Sequence, residues 1–233
     1  MSGGKDVAAR SVAILSMLLS FAVARGLRAD NPARGVRLLQ NQRRERFLSF
    51  AEIGRIGEAL SKLEANGSNR MTIAAIRLLL LTGCRRGEII GLRWKWVDFE
   101  RRCVRLPDSK TGAKTIPLGD PAIDVLRSIP AIAGCEFVFP ASRGTGHLVG
   151  LCSVWQEVRK LADLQGLGIH DLRHSFASVA VSGGESLYIV GKILSHRQAR
   201  TTEVYAHLAP DPVQAAADRA ARKISEALRA IPS

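Results

Sequence analysis

Apolar residues recur at helical spacing through most of the chain. The pattern predicts a first helix over residues 7–25 and then a basic linker over 26–46. Two further apolar segments follow, "RMTIAAIRLLLLTG", closed by Gly83, and "CRRGEIIGLRW". Later helical patterns cover 121–129, 152–163, 172–182, 186–194 and 211–229. One helix start is marked by residue type, because Ser49 and Glu52 have the spacing of a capping box.

The pattern changes between Trp96 and Leu118. Three short runs, "WVDF", "CVRL" and "TIPL", are rich in residues typical of strands. They are separated by "ERR" and by "PDSKTGAK", which carries a Thr-Gly turn signal. These runs predict a small antiparallel sheet of about three strands. The expected fold class is therefore mostly α with a small antiparallel β-sheet (α+β).

The chain is strongly basic. It has 34 Lys and Arg against 21 Asp and Glu, a formal charge of +13, and 46% of its 233 residues are hydrophobic. A core of useful size is expected, together with a polyanionic partner, of which nucleic acid is the commonest. The last 24 residues hold four basic and three acidic side chains, so the excess belongs to the folded body. Charge alone does not distinguish this from a merely soluble basic protein.

Two features bear on the compartment. The four cysteines, at positions 84, 103, 135 and 152, show no CxxC pair, which predicts reduced thiols in a cytoplasmic protein without disulfides or zinc. The run "VAILSMLLSFAVA" after Lys5 and Arg10 imitates a secretory signal, but its 13 residues are too few to span a bilayer. We interpret it as an amphipathic or buried helix that ends near Gly26, and expect no membrane partner.

Three clusters carry groups capable of chemistry. In "TGCRRGE", Arg85 and Glu88 share a helix face and can pair, although an ordinary surface salt bridge would look the same. In "GIHDLRHSFAS", His170 and Arg173 lie on the first turn of a helix, where backbone N–H groups favour a phosphate. A capped helix with satisfied side chains is the plain alternative.

A metal site is the sharper alternative for the second cluster. His170 and His174 have i, i+4 spacing, and with Asp171 they resemble the paired ligands of metal-dependent phosphohydrolases. No other His, Asp or Glu in the sequence has an obvious ligand spacing.

The third cluster is "LSHR" followed by "TTEVYAHL". Tyr205 lies nine residues after His196 and is flanked by Glu203, His207 and threonines. Such polar neighbours are unusual for a tyrosine in a hydrophobic core. Tyr188, in the apolar "SLYIVGKIL", is expected to be the structural tyrosine. The sequence contains neither a Walker A loop nor GxGxxG, so no motif predicts nucleotide binding.

Taken in order, these residues resemble the tyrosine recombinase (phage integrase) family, whose pattern is Arg, Lys, His-x-x-Arg, His or Trp, Tyr. The resemblance runs from Phe47 to Leu208, with Arg173 88 positions after Arg85 and Tyr205 32 positions after Arg173. It implies a DNA breaking–rejoining catalytic domain over 47–233 with a C-terminal helix over 211–230. It also implies that residues 1–46 are a remnant of the core-binding domain, its last helix, with the basic interdomain linker.

The resemblance implies a reaction as well. Tyr205 would attack phosphorus to give a 3′-phosphotyrosyl link and a free 5′-hydroxyl. Arg85 and Arg173 would clamp the nonbridging oxygens, since planar guanidiniums form bidentate bonds to phosphate. His170 would help to deprotonate Tyr205, and His196 would donate a hydrogen bond to the scissile phosphate.

The remaining roles fall on three side chains. Lys110, in "SKTG", matches the family's lysine and would protonate the leaving 5′-oxygen. Lys114 is the second candidate for that role and otherwise a DNA phosphate contact. Glu88 matches the family's acidic position and would orient Arg85 or the nearby backbone. A covalent intermediate conserves the bond energy, so no metal, ATP or other cofactor is expected.

The predicted function is site-specific recombination of double-stranded DNA, in the integration or excision of a phage or other mobile element. The resemblance implies a homotetramer on two DNA sites with exchange of C-terminal helices, and an accessory DNA-bending or excision factor as a further partner. Three alternatives stay open: a type IB topoisomerase, a phosphohydrolase using His170, Asp171 and His174, and a catalytically silent DNA-binding protein.

Overall fold

The computed structural model describes residues 3–36, 46–108, 112–195, 198, 200–208 and 212–229. The chain separates into two compact units, Met1–Glu45 and Arg46–Ser233. Lys110 and His196, two of the predicted catalytic residues, lie outside the described residues.

The N-terminal unit is one long helix and the loop that follows it. Helix α1 spans Gly3–Ala24, which confirms the predicted helix over 7–25. Gly26 follows it in the left-handed region (φ 71°), and the Asn31 side-chain amide donates to Ser16 O at 2.9 Å and to Ser20 Oγ at 2.8 Å. These bonds fold the loop back on its own helix.

The apolar surface of α1 differs from the sequence-based expectation. None of Val7–Ala24 is buried, and this stretch, with a mean hydropathy of 2.0, is long and apolar enough to cross a membrane by length and composition alone. The apolar stretch of the helix is therefore 18 residues long, longer than the 13-residue run visible in the sequence. A helix that packs on a protein partner has the same composition, so this feature alone does not establish a membrane span.

The second unit is mostly helical, as predicted. Its helices before the sheet are α2 (Phe50–Ala65), α3 (Arg70–Thr82) and α4 (Arg86–Ile90), followed by a 3₁₀ turn at Trp94–Trp96. After the sheet come α5 (Asp120–Arg127), α6 (Leu151–Leu161), α7 (Asp171–Ser182), α8 (Leu187–Leu194), α9 (Arg200–Glu203), a 3₁₀ turn at Ala206–Leu208, and α10 (Pro212–Arg229). The short α9 and the turn around Tyr205 were not predicted from the sequence.

The predicted sheet is confirmed. Strands β1 (Val97–Asp98), β2 (Cys103–Leu106) and β3 (Lys114–Pro117) form an antiparallel sheet in the order β1-β2-β3. In its register Leu106 pairs with Lys114, and Val104 pairs with Ile116. Because side chains alternate along a strand, Lys114 points to the same face as the buried Ile116.

Local signals set several helix ends. The capping box at the start of α2 is present: Ser49 Oγ accepts from Glu52 N at 3.2 Å, and Glu52 Oε2 accepts from Ser49 N at 2.8 Å. Gly83 ends α3 in the left-handed region at φ 62°. A Cβ there would lie 2.7 Å from Phe176 Cδ1 and 2.8 Å from Leu194 Cδ2, so α7 and α8 approach the end of α3 closely.

Two apolar clusters make the core. The larger centres on α3, where Ile73, Ile76 and Leu79 are buried, and extends to α2, α5, α6 and the sheet. The smaller cluster lies between α7, α8 and the segment that follows α9, and consists of Ala177, Val181, Val190, Leu194 and Tyr205. Among the described catalytic candidates, Arg85 and His170 are the N-cap residues of α4 and α7, Arg173 lies in the first turn of α7, and Tyr205 belongs to the smaller cluster.

Candidate active site

Glu88 lies at the centre of a small group of charges. Its Oε2 accepts from the Arg85 backbone N at 2.9 Å, and its Oε1 accepts from Arg85 Nη1 at 3.0 Å. The same Oε1 lies 2.8 Å from Lys114 Nζ, and the Lys114 and Glu88 side chains are 7% and 9% exposed. One buried carboxylate therefore joins the start of α4 to strand β3 and holds the Arg85 side chain.

The charges around Glu88 determine its protonation. Burial by itself would raise the pKa of this carboxyl, but the hydrogen bonds from Lys114 and Arg85 outweigh burial and hold the pKa below its ordinary value of 4.5. Glu88 is therefore an anion at neutral pH, consistent with the predicted orienting role.

Arg173 is fixed by two backbone carbonyls. Its Nη1 donates to Gly83 O at 2.7 Å, and its Nη2 donates to Leu194 O at 2.6 Å. The side chain is 5% exposed, and burial together with the nearby Arg85 charge lowers the pKa of its guanidinium. An arginine guanidinium nevertheless stays charged at neutral pH. Backbone carbonyls at the ends of α3 and α8 thus orient the Arg173 guanidinium close enough to Arg85 for the two charges to interact.

His170 belongs to the same electrostatic neighbourhood. It precedes α7 as its N-cap residue. Burial lowers the pKa of its imidazole, and the charges of Arg173 and Arg85 lower it further, while Asp171 opposes them. A lowered pKa favours the neutral ring, which can accept a proton or a hydrogen bond.

Tyr205 is held by His174. The phenol oxygen lies 2.6 Å from His174 Nδ1, and the two rings are tilted at 46° with centroids 6.0 Å apart. The His170 ring meets the His174 ring edge to face, with centroids 5.0 Å apart. Successive side-chain contacts therefore link the start of α7 to the predicted nucleophile, from His170 to His174 and from His174 to Tyr205.

The burial of the two tyrosines is the reverse of what their flanking residues suggested. Tyr205, which appeared ill suited to a core, is 1% exposed. Tyr188, expected to be structural, is 70% exposed, with the Lys192 Nζ 5.3 Å from its ring centroid. Polar neighbours misled the prediction because Tyr205 lies in a turn, where adjacent side chains point in different directions.

The Lys114 ammonium is paired with Glu88. Its Nζ lies 2.8 Å from Glu88 Oε1 and its side chain is 7% exposed, so it helps to hold the Glu88–Arg85 pair. The roles of Lys114 as a DNA phosphate contact and as the second candidate for the acid stay predictions. Lys110 and His196 keep the roles that the resemblance implies, as predictions, because both lie outside the described residues.

The metal-site alternative fits the geometry poorly. The Asp171 Oδ2 accepts from Gly168 N at 2.6 Å, and His174 Nδ1 faces Tyr205 instead of His170's ring nitrogens. Among the residues that the structure describes, no group of three His, Cys, Asp or Glu side chains could hold a metal ion.

The neighbouring thiol is not a rival nucleophile. Cys84 is buried beside Arg85, and burial raises its pKa to about 11, so it stays a thiol at neutral pH. All four cysteines are free in the structure.

Sequence reasoning missed two partners within this site. One is Lys114, the second cation that contacts Glu88. Alternation along β3 places Lys114 on the inward face with Ile116, so its inward direction could have been predicted from the sequence, although its partner could not. His174 was considered only as a metal ligand, and its pairing with a tyrosine 31 positions away had no local signal.

The arrangement suits attack on a bound phosphodiester. Two permanent cations are oriented from different elements, the His170 imidazole is subject to the charge of both, and a phenol is hydrogen-bonded to a second imidazole. Cations so oriented stabilise charge that develops on phosphate oxygens, by about 3 kcal/mol per donor in comparable oxyanion sites.

Known proteins are similar to this chain in sequence. The profile of the family described as "Phage integrase family" matches residues 46–211. The tyrosine recombinase XerC of Mycobacterium tuberculosis (strain ATCC 25177 / H37Ra) is 29% identical over 231 residues, which covers 91% of this chain and 76% of that protein. XerC of Mycobacterium sp. (strain KMS) is also 29% identical, with 91% and 75% covered.

Solved structures share the fold. The Tn1549 transposon integrase in complex with transposon right end DNA has a TM-score of 0.69 at 20% identity, covering 91% of this chain and 78% of that one. A lambda integrase dimer bound to a COC′ core site has a TM-score of 0.67 at 22% identity, covering 87% and 74%. Since the family profile spans well over half of the sequence, the chain belongs to the phage integrase family of tyrosine recombinases.

Proposed function

We propose that the chain cleaves and rejoins double-stranded DNA at specific sites through a 3′-phosphotyrosyl link to Tyr205, in the integration or excision of a phage or other mobile element. The observation that supports this most directly is the position of Arg173 on α7. Its guanidinium is held by Gly83 O and Leu194 O, and the next residue on the same helix, His174, contacts the Tyr205 hydroxyl. DNA in the solved complexes of the Tn1549 and lambda integrases supports duplex DNA as the partner.

In this proposal each predicted residue has one task. Arg85 and Arg173 bind the nonbridging oxygens, with Arg85 oriented by Glu88. His170 helps to deprotonate Tyr205, His196 donates a hydrogen bond to the scissile phosphate, and Lys110 protonates the 5′-oxygen as it leaves. The chemistry needs no metal, since the two guanidiniums neutralise the developing charge and the tyrosyl ester conserves the energy of the broken bond.

A covalent-capture experiment tests the reaction. The chain is incubated in EDTA with a library of nicked duplexes of randomised sequence, on which cleavage releases a short 5′-hydroxyl strand and traps the adduct. Protein-linked DNA is then recovered and sequenced. We expect an adduct that Tyr205→Phe abolishes and Tyr188→Phe retains, since Tyr188 is 70% exposed and makes a matched control.

The same experiment separates the alternatives. Enrichment of one sequence supports a site-specific recombinase, whereas adducts without sequence preference, together with relaxation of supercoiled plasmid, would support a type IB topoisomerase. A phosphohydrolase would be inactive in EDTA and form no adduct. Duplex binding without any adduct would leave a silent DNA-binding protein and refute the proposal.

We also propose that α10 mediates assembly of a homotetramer on two DNA sites. Ile224 and Leu228 lie four residues apart on one face of the helix and are 61% and 70% exposed. An exposed apolar stripe of this kind suits the groove of a neighbouring subunit. The double change Ile224→Ser and Leu228→Ser should weaken synapsis of two DNA sites while leaving cleavage of a single site intact; unchanged synapsis would refute the assignment.

Residues 1–46 are proposed to be the last helix of a core-binding domain and the interdomain linker. The exposed apolar side chains of α1, among them Met17 at 66% and Phe21 at 58%, are consistent with a helix that packs on further protein. A cytoplasmic location fits the four free cysteines. An accessory DNA-bending or excision factor stays a prediction of the resemblance.

A further inference from the structure

The hydroxyl of the nucleophile touches an imidazole outside the set that the family pattern names. His174 Nδ1 lies 2.6 Å from Tyr205 Oη, within the range of a strong hydrogen bond. Tyr205 is 1% exposed, so its ring is shielded from bulk water. The imidazole is therefore well placed to receive the phenol proton when Tyr205 reacts.

The fold holds both groups in this position. His174 follows Arg173 on α7, and the Ser175 hydroxyl next along the helix accepts from Leu48 N at 3.1 Å. This places Phe47 against the Tyr205 ring, with centroids 5.9 Å apart. The Tyr205 backbone N donates to Thr202 O at 3.0 Å and anchors the turn to α9. The contact between His174 and Tyr205 is thus held by the packing of α7, α9 and the segment before α2.

We propose that His174 is a further catalytic residue, which holds the Tyr205 hydroxyl and accepts its proton during strand cleavage; this inference rests on the proposed function. Nδ1 accepts when the ring hydrogen is on Nε2. The proton then moves from Tyr205 Oη to His174 Nδ1 as the Oη–P bond forms and the P–O5′ bond breaks. The departing 5′-oxygen takes a proton from the acid, for which Lys110 is the candidate.

Religation uses the same groups in reverse. The 5′-hydroxyl of the incoming strand attacks phosphorus and gives up its proton to the acid's conjugate base, while the Tyr205 oxygen leaves and recovers its proton from His174. A phenol with an ordinary pKa near 10 is about 0.1% ionised at neutral pH, so an adjacent proton acceptor is worth about 10²- to 10⁴-fold in rate. The His170 ring meets the His174 ring edge to face, with centroids 5.0 Å apart, and the charges of Arg173 and Arg85 act on His170.

Two substitutions separate proton transfer from simple tethering. His174→Asn keeps a hydrogen-bonding group near the position of Nδ1 but cannot take up a proton, and His174→Leu removes both properties. On a nicked duplex selected with the wild-type chain, we expect both variants to form the adduct at least 100-fold more slowly in single turnover, with unchanged duplex affinity. A His174→Asn rate within about threefold of wild type would overturn the proposal.

A modified substrate identifies the side of the reaction on which His174 acts. A 5′-bridging phosphorothiolate needs no acid, because the thiolate leaves unprotonated. The His174 variants should stay slow on it, whereas a variant lacking the acid, for which Lys110→Ala is the candidate, should recover. Recovery of the His174 variants would assign His174 to the leaving group and overturn the proposal.

A more acidic nucleophile gives an independent measure. Fluorinated tyrosine incorporated at position 205 lowers the phenol pKa, so it should narrow the rate difference between wild type and His174→Asn. An unchanged difference would indicate a purely structural role. Thermal unfolding and duplex binding identify a His174 variant that fails to fold. The rate of adduct formation is then compared only for the variant that still binds the duplex. If the wild-type chain itself forms no Tyr205-dependent adduct, the proposed function fails, which is a distinct outcome.

Discussion

The buried pair of Glu88 and Lys114 gives the sharpest test of how this site is held. The Nζ–Oε1 distance is 2.8 Å, and the side chains are 7% and 9% exposed. At an effective dielectric of about 20, two unit charges this close attract by about 6 kcal/mol. Desolvation offsets most of that attraction, so the coupling free energy between the two side chains is expected to be about 2 kcal/mol.

A double-mutant cycle measures this coupling. Lys114→Met should cost about 2 kcal/mol, because Glu88 keeps its bonds to Arg85. Glu88→Gln should cost about 3 kcal/mol, because it leaves the buried ammonium without a carboxylate. The double variant should then lose about 3 kcal/mol, about 2 kcal/mol less than the sum of the single changes.

Urea unfolding followed by tryptophan fluorescence is the suitable assay, because all three tryptophans, Trp94, Trp96 and Trp155, lie in the second unit. The pair Asp98–Arg105 is a matched control, with a similar distance of 2.9 Å but side chains 28% and 48% exposed. Its coupling should stay below about 1 kcal/mol. If the Glu88 and Lys114 changes add to within about 0.5 kcal/mol, the inferred coupling is wrong.

Three further outcomes follow from the same geometry. Arg173→Lys cannot reach both Gly83 O and Leu194 O with a planar fork, so adduct formation should fall at least about 100-fold with duplex binding retained; a rate near wild type would contradict the role given to this fork. Gly83→Ala combines φ 62° with a Cβ 2.7 Å from Phe176 and should lower the unfolding free energy by about 2–4 kcal/mol, whereas Gly67→Ala, at φ 80° with open space, should cost about 1 kcal/mol; equal costs would refute the packing argument. Because the pKa of Glu88 is held below 4.5, its stabilisation should be complete above that pH and disappear as the pH falls through the lowered value, so the stability difference between wild type and Glu88→Gln should shrink in acid; a constant difference in urea midpoints from pH 7 to pH 3 would contradict this.

Local pattern was sufficient to predict most of the secondary structure, although not α9 or the turn around Tyr205, and the order of the site residues. The capping box at Ser49, the three strands and most helix bounds depend on neighbours within a few positions, where propensity, capping and alternation act. The spacing of Arg85, Arg173 and Tyr205 is likewise a property of the sequence, and it identified the family before any contact was known.

Tertiary packing decided which polar groups meet. Burial of Tyr205 and exposure of Tyr188 depend on how α8 and the turn after α9 pack against α7, which their flanking residues do not encode. The bond from His174 to Tyr205 joins positions 31 apart, and that from Lys114 to Glu88 joins a strand to a helix. Such pairs form because the two apolar clusters bring distant elements together, and a buried polar side chain must then bond with whichever partner that packing supplies.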